Sequence, residues 1–313
     1  MIISLQPVPE DLEDSAAIPR RRRARVFAHR GASALFPEHT RAAYLRALED
    51  GAEGLEIDLH LTRDGELVCF HDATLERTTD GTGAAADTTL AQLRRLDVSS
   101  WKTPRLPACY GTRAQQLMTL QDVLELVCAA GRDVRLAIEL KHPSPYGHAL
   151  EDRTLKVLLA AGWDPETSRI EVGDHTVRVS FMSFDPASLR YLSELVPTDK
   201  LCALFARVEE ADISARLARL RFSAAVRPLV GAVMRRAVKE SEALVWNRQV
   251  GMAGPGISYA RQHRAELKAW IARGSRLRVW TVDTLADADL MVDLGVQELT
   301  TNHPGRLVQH LSR

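Results

Sequence analysis

The chain has 313 residues, 45% hydrophobic and 26% charged, enough to bury the core of one large α/β domain. Forty-one basic residues balance forty-one acidic ones, which excludes bulk attraction to nucleic acid or an anionic membrane, so any anion binding has to be local. No apolar run reaches membrane-spanning length and the N-terminus lacks the apolar centre of a secretory signal, so a cytoplasmic protein with no transmembrane segment and no nucleic-acid partner is expected.

Residues 1–24 carry Pro7, Pro9 and Pro19 without sustained periodicity and read as a tail, its run Arg20 to Arg23 a solvated charge patch. From Arg25 onward, strands and helices alternate. RVFAHR (25–30) reads as the first strand, and Thr40 as N-cap with Gly51 as C-terminal stop brackets a helix. GLEIDLHL (54–61) and ELVCFH (66–71) follow. Further strands are VRLAIELK (134–141), TVRVSFMSF (176–184), KLCALFA (200–206), a weak one within WNRQVGMAG (246–254), LRVWTVD (277–283) and QELTTN (297–302). Amphipathic helical patterns lie between most of them. Such repetition over residues 25–310 fits an α/β fold, a (β/α)8 TIM barrel with a small insertion and extra helices over its mouth; a doubly wound sheet is the alternative. Segment 207–245 is long for one barrel connection. Its two apolar stripes, Ile213, Leu217 and Leu220, then Val226, Leu229, Val230, Val233 and Met234, are expected on the barrel wall; the sharper alternative has one holding an acyl chain beside the mouth. Cys69, Cys109, Cys128 and Cys202 are widely spaced, three of them in apolar runs that look buried, and are expected to be thiols.

The strand at 54–61 has an acidic face. Glu56 and Asp58 are two apart and point to one side, while Ile57, Leu59 and Leu61 point to the other. Glu139 and Lys141 repeat that parity in the third barrel strand. Three hard oxygen donors facing a barrel mouth suit a divalent cation, Mg²⁺ or Ca²⁺, better than zinc. His29 ends the first strand and His71 the strand after the acidic one; two imidazoles so placed can act as an acid and base pair. His60, His142, His148, His175 and His263 read as structural. Arg30 and Lys141 beside a cation offer fixed positive charge to a phosphoryl group.

The run FAHRGASALFPEHTRAAYLRALEDGAEGLEIDLHLTRDGELVCFHDATLERTTDGTG resembles the signature of the glycerophosphodiester phosphodiesterase family, with HRG, P-E-N-T, E-x-D, T-x-D-G, H-D and R-T-T-x-G-x-G. IELK (138–141), SFD (183–185) and VWTVD (279–283) extend the resemblance over roughly residues 25–308. It implies a (β/α)8 fold, a divalent cation on Glu56, Asp58 and Glu139, acid and base roles for His29 and His71, phosphate contacts from Arg30 and Lys141, and Trp280 at the alcohol. The implied activity is hydrolysis of a small-molecule glycerophosphodiester to glycerol phosphate and an alcohol. Lysophospholipase D action and a noncatalytic glycerophosphodiester-binding role are the alternatives, with a metal-dependent aldolase or isomerase further off.

The chain departs from the pattern at His39, where the family has Asn, at Met118, where it has Pro, and at Asn302, where an Asp is common. None is expected to touch the metal or histidine positions. Segment Glu76 to Met118 is expected over the mouth, with Gly81 and Gly83 in an ordinary loop. Nothing in the sequence fixes an oligomeric state.

Overall fold

The computed structural model describes residues 24–102, 105–220 and 223–313. The expected tail with Arg20 to Arg23 lies outside them apart from Ala24, as does the side chain of Leu220. In chain order the strands are β1 (Arg25–His29), β2 (Gly54–Leu61), β3 (Leu67–Cys69), β4 (Val134–Leu140), β5 (Trp163–Asp164), β6 (Arg169–Val172), β7 (His175–Ser183), β8 (Leu201–Phe205), β9 (Met252–Pro255), β10 (Arg276–Val279) and β11 (Glu298–Thr301). Strands β1, β2, β4 and β7 to β11 pair in parallel, and β11 returns to β1, so eight strands close a barrel. This is the (β/α)8 architecture. Strand β3 adds to β2 in antiparallel sense, and β5 and β6 form an antiparallel extension on the first half of β7.

Period-two alternation sorts the strand residues between two cores. Leu55, Ile57 and Leu59 of β2 and Leu136, Ile138 and Leu140 of β4 pack outward with the surrounding helices in the largest apolar cluster. Phe27, Ala137, Met182, Cys202, Leu204 and Met252 fill the interior. Gly54 makes room for this filling: a Cβ there would lie 2.4 Å from the Phe27 ring. The Arg278 guanidinium lies 4.3 Å from the centre of the same ring and pairs with Glu298 at 2.6 Å. The barrel centre is therefore closed by Phe27 and a buried ion pair.

The helix Arg41–Glu49 begins where expected, with Thr40 Oγ1 accepting from Ala43 N at 3.2 Å, and Gly51 follows it at φ 80°. Residues after β3 build their own small core from Val68, Phe70, Leu75, Ala85, Leu93, Val98 and Leu117. Gly81 packs there against Leu96, the ordinary loop role expected of it. Segment 207–245 forms the helices Glu210–Leu220 and Arg227–Trp246. Its stripes pack largely on each other: Ile213, Leu217 and Val230 are buried together, whereas Leu229 and Val233 face out, 64% and 61% exposed. All four cysteines are free; Cys69 and Cys202 are buried, Cys128 is half-buried and Cys109 exposed.

Candidate active site

Strand register assembles the expected residues at the C-terminal mouth. His29 of β1 is paired with Glu56 of β2, and Asp58 of β2 with Glu139 of β4. Carboxylate oxygens of Glu56, Asp58 and Glu139 lie within 4.8 Å of one another, all buried. His29, Arg30, Glu56, His71, Glu139, Lys141 and Trp280 line one cavity. Met182, Phe184, Leu204, Arg278 and Thr300 complete its wall. Phe184 meets Trp280 edge to face at 5.4 Å, and the Trp280 indole donates to the Gly254 carbonyl at 2.8 Å, so the apolar side of the pocket is held in place.

The carboxylates carry opposed perturbations. Burial and the neighbouring Asp58 push Glu56 well above the ordinary range, and burial together with Asp58 pushes Glu139 up to about 7 against the pull of Lys141. Burial would also raise Asp58, but Lys141, Arg30 and the His39 hydrogen bond outweigh it and hold that carboxyl well below its usual value. Lys141 Nζ lies 2.7 Å from Glu139 Oε1 and 3.5 Å from Asp58 Oδ1, and Arg30 Nε lies 3.1 Å from Asp58 Oδ2. Asp58 Oδ1 is buried without a hydrogen-bond partner. A buried acceptor left unpaired is costly. Three hard donors, two of them held off ionisation chiefly by burial and one with an oxygen that has no hydrogen bond and only Lys141 at 3.5 Å for company, fit a divalent cation.

Arg30 and His39 both adopt left-handed backbone, φ 58° and 59°, which costs a non-glycine residue of order 1–3 kcal/mol. Arg30 is held there by its own N–H, which donates to the Glu56 side chain at 3.0 Å. His39 is the principal correction to the sequence reading. It touches a metal-candidate residue directly: Nε2 bonds Asp58 Oδ2 at 2.8 Å while Nδ1 bonds the Tyr44 hydroxyl at 2.7 Å. The substitution therefore acts on the acidic cluster and not only on loop geometry. The sequence signal was an imidazole at a position usually filled by an amide.

The two histidines differ in company. His29 Nδ1 lies 2.8 Å from Asn302 Oδ1, and Asn302 Nδ2 donates to Asp283 Oδ2 at 2.6 Å. That orientation makes Asn302 Oδ1 the acceptor, so His29 donates through Nδ1 and keeps Nε2 for the cavity. The departure at Asn302 thus also touches a histidine position. Burial and Arg30 lower His29 to about 3. His71 lies two residues beyond β3, not at its end, and its Nδ1 faces Asp72 Oδ1 at 2.6 Å. Burial lowers its pKa, opposed by the Asp72 hydrogen bond. Arg77 clamps Asp72 at 2.5 Å and Glu38 at 2.7 Å, and Glu38 in turn holds Arg30 at 3.0 Å. Glu38, Asp72 and Arg77 sat inside the quoted motifs without a role. His60, expected to be structural, bonds the His71 carbonyl through Nε2 at 3.2 Å and so supports the His71 turn. His142 does the same kind of work away from the cavity, on Glu151 at 2.8 Å.

Comparison with known proteins agrees with this geometry. Residues 29–306 match the "Glycerophosphoryl diester phosphodiesterase family". A Mycobacterium tuberculosis protein named "Probable glycerophosphodiester phosphodiesterase 1" is 34% identical over 289 residues, 90% of each chain. A Bacillus subtilis glycerophosphodiester phosphodiesterase is 27% identical over 283 residues, 89% of this chain and 83% of that one. Among solved structures, an Oleispira antarctica phosphodiesterase in complex with the product sn-glycerol-3-phosphate superposes with a TM-score of 0.68 over 93% of this chain and 98% of the other, at 23% identity, which bears on the fold alone. Profile match, full-length relatives and a mouth built of carboxylates, histidines and cations converge: the chain belongs to the glycerophosphoryl diester phosphodiesterase family and is a phosphoric diester hydrolase of that type.

Proposed function

We propose that the chain hydrolyses small deacylated glycerophosphodiesters to glycerol phosphate and an alcohol, with Glu56, Asp58 and Glu139 holding a divalent cation, Mg²⁺ or Ca²⁺. The cation, when bound, supplies charge stabilisation to the nonbridging phosphate oxygens. Arg30 and Lys141 add fixed positive charge on the same side of the cavity. His29 Nε2, left free by the Asn302 contact, takes the proton from the attacking oxygen, that of water or of the neighbouring glycerol hydroxyl. His71, beside the carboxylate of Asp72, carries the proton that the departing alcohol oxygen needs as the P–O bond breaks. Trp280 and Phe184 offer an apolar wall to the carbon skeleton, and the buried Thr300 hydroxyl, which lines the cavity without a partner, offers a contact to a substrate hydroxyl.

The observation that carries the reading is the pairing of an orphan carboxylate oxygen, Asp58 Oδ1, with two histidines whose second nitrogens are oriented by Asn302 and Asp72. A binding protein has no need of two oriented proton carriers. The burial of Ile213, Leu217 and Val230 in a cluster of their own favours the small diester over a lysolipid, because that stripe is already covered. Release of choline from glycerophosphocholine is the test. It should vanish on exhaustive chelation and return with Mg²⁺ or Ca²⁺, while Asp58→Asn should weaken cation binding measured by calorimetry. Activity that survives chelation would remove the metal from the proposal, and a higher kcat/KM for lysophosphatidylcholine below its micelle concentration would overturn the substrate. Phosphorus-31 spectra during turnover separate attack by water from attack by the neighbouring glycerol hydroxyl, which passes through a cyclic phosphate.

A further inference from the structure

The opposite end of the barrel holds a second concentration of charge. A shallow, solvent-open recess lies among the N-terminal ends of the strands, lined by Arg135, Arg169, Arg178, Lys200, Arg276 and Arg278. Among the described residues Glu298 is the one carboxylate in its wall, and Arg278 already engages it through Nε at 2.8 Å and Nη2 at 2.6 Å. Strand register explains how the cations meet. Arg135 of β4 is the direct partner of Arg178 of β7, and Arg178 is in turn the partner of Arg169 on β6. Three arginines thus stand side by side across three strands, an arrangement that like-charge repulsion opposes.

On the far wall Lys200 pairs with Asp199 at 2.6 Å, and Arg276 donates to the Asp199 carbonyl, which brings a fourth guanidinium to the rim. Among the described residues, Arg135, Arg169 and Arg178 make no side-chain hydrogen bond or ion pair. Burial, with Arg25, Arg178 and Arg276 around it, lowers Arg135 to about 10. Local propensity does not account for three like charges placed in register on neighbouring strands. A bound polyanion does account for them. The guanidinium fork matches phosphate oxygens two at a time, and a concave wall admits a compact ligand but not a flat membrane surface.

We propose that this lower cavity is a binding site for a soluble compound carrying two or more phosphoryl groups, separate from the phosphodiester cavity at the other end of the barrel. The site is independent of the reading given to the upper cavity, since no residue of the acidic cluster takes part. Sodium tripolyphosphate is the probe, with ionic strength held constant by sodium chloride. It should raise the melting temperature of the wild-type protein and of Lys141→Met alike, and the rise should disappear in Arg178→Gln and in Arg135→Gln. Without the probe, both glutamine variants should melt no lower than wild type, because each relieves repulsion, and Arg178→Gln should hydrolyse glycerophosphocholine within about twofold of wild type. A rise that survives in both glutamine variants would overturn the site. So would a rise abolished by Lys141→Met. Equal stabilisation by citrate would overturn the phosphoryl assignment, and co-sedimentation with phosphatidylglycerol vesicles without any response to tripolyphosphate would assign the charges to a membrane surface instead.

Discussion

At the scale of single residues, His29 and His71 show how position and partner divide one side-chain type between two tasks. His29 is half-buried at the cavity wall, faces a neutral amide and is lowered to about 3, so it is neutral near pH 7 with Nε2 free. His71 is a third exposed and keeps a carboxylate against Nδ1. Replacing either by Ala should reduce kcat for glycerophosphocholine by about 10²- to 10⁴-fold with the melting temperature little changed, the usual loss when a placed acid or base is removed. Near wild-type turnover in a folded His71→Ala protein would take His71 out of the reaction. Asn302 offers a finer test. Asn302→Asp puts a negative charge 2.8 Å from Nδ1, which favours the imidazolium, so the acidic limb of the kcat/KM profile should move to higher pH. An unmoved limb would mean that His29 does not set it.

At the scale of elements, the strands carry the site and glycines set how they pack. Gly54 begins β2 two residues before Glu56, and the Phe27 ring occupies the place of its missing side chain. Gly54→Ala should cost about 1–3 kcal/mol, the penalty of overpacking a filled core, read as a lower midpoint in urea at unchanged slope. A variant as stable as wild type would mean that the barrel interior yields more easily than its packing suggests. The acidic faces of β2 and β4 were legible from sequence because strand parity is local: positions 56 and 58, and 139 and 141, share a face whatever the rest of the chain does. The β5 and β6 extension was not, since two- and four-residue strands leave no alternation to read. His39 reaches Asp58 through a left-handed turn, and sequence spacing of 19 residues says nothing about that approach. Arg135 and Arg178 were visible inside strands, yet their meeting depends on the register between β4 and β7, which only the closed barrel supplies.

At the scale of the whole molecule, charge couples stability to pH through both titrating sets at the mouth. Glu139, raised from 4.5 to about 7, takes up a proton in the fold that the unfolded chain lacks between those values, so its contribution is lost as pH rises through that window. His29 and His60, lowered from 6.5 to about 3 and about 4, act the opposite way: the unfolded chain binds the proton first, and stability is lost as pH falls below 6.5. A cation on the carboxylates would keep them ionised and leave the histidines alone to set the slope. The gain in melting temperature brought by Mg²⁺ should therefore grow as pH rises from about 4.5 to 7. A gain of the same size across that range would show that the cation does not bind these acids. No helix among the described residues is long and apolar enough to cross a membrane.

Arg278 belongs to the wall of both cavities, the phosphodiester cavity at one end and the arginine-lined cavity at the other. Its guanidinium, stacked on Phe27 and tied to Glu298, forms part of the filling that separates them. A shorter apolar residue at 278 would do more than remove an ion pair. It would strand the Glu298 carboxylate and leave the Phe27 ring as the remaining seal between the two ends of the barrel, so that a buried charge would be left seeking water from whichever end could reach it.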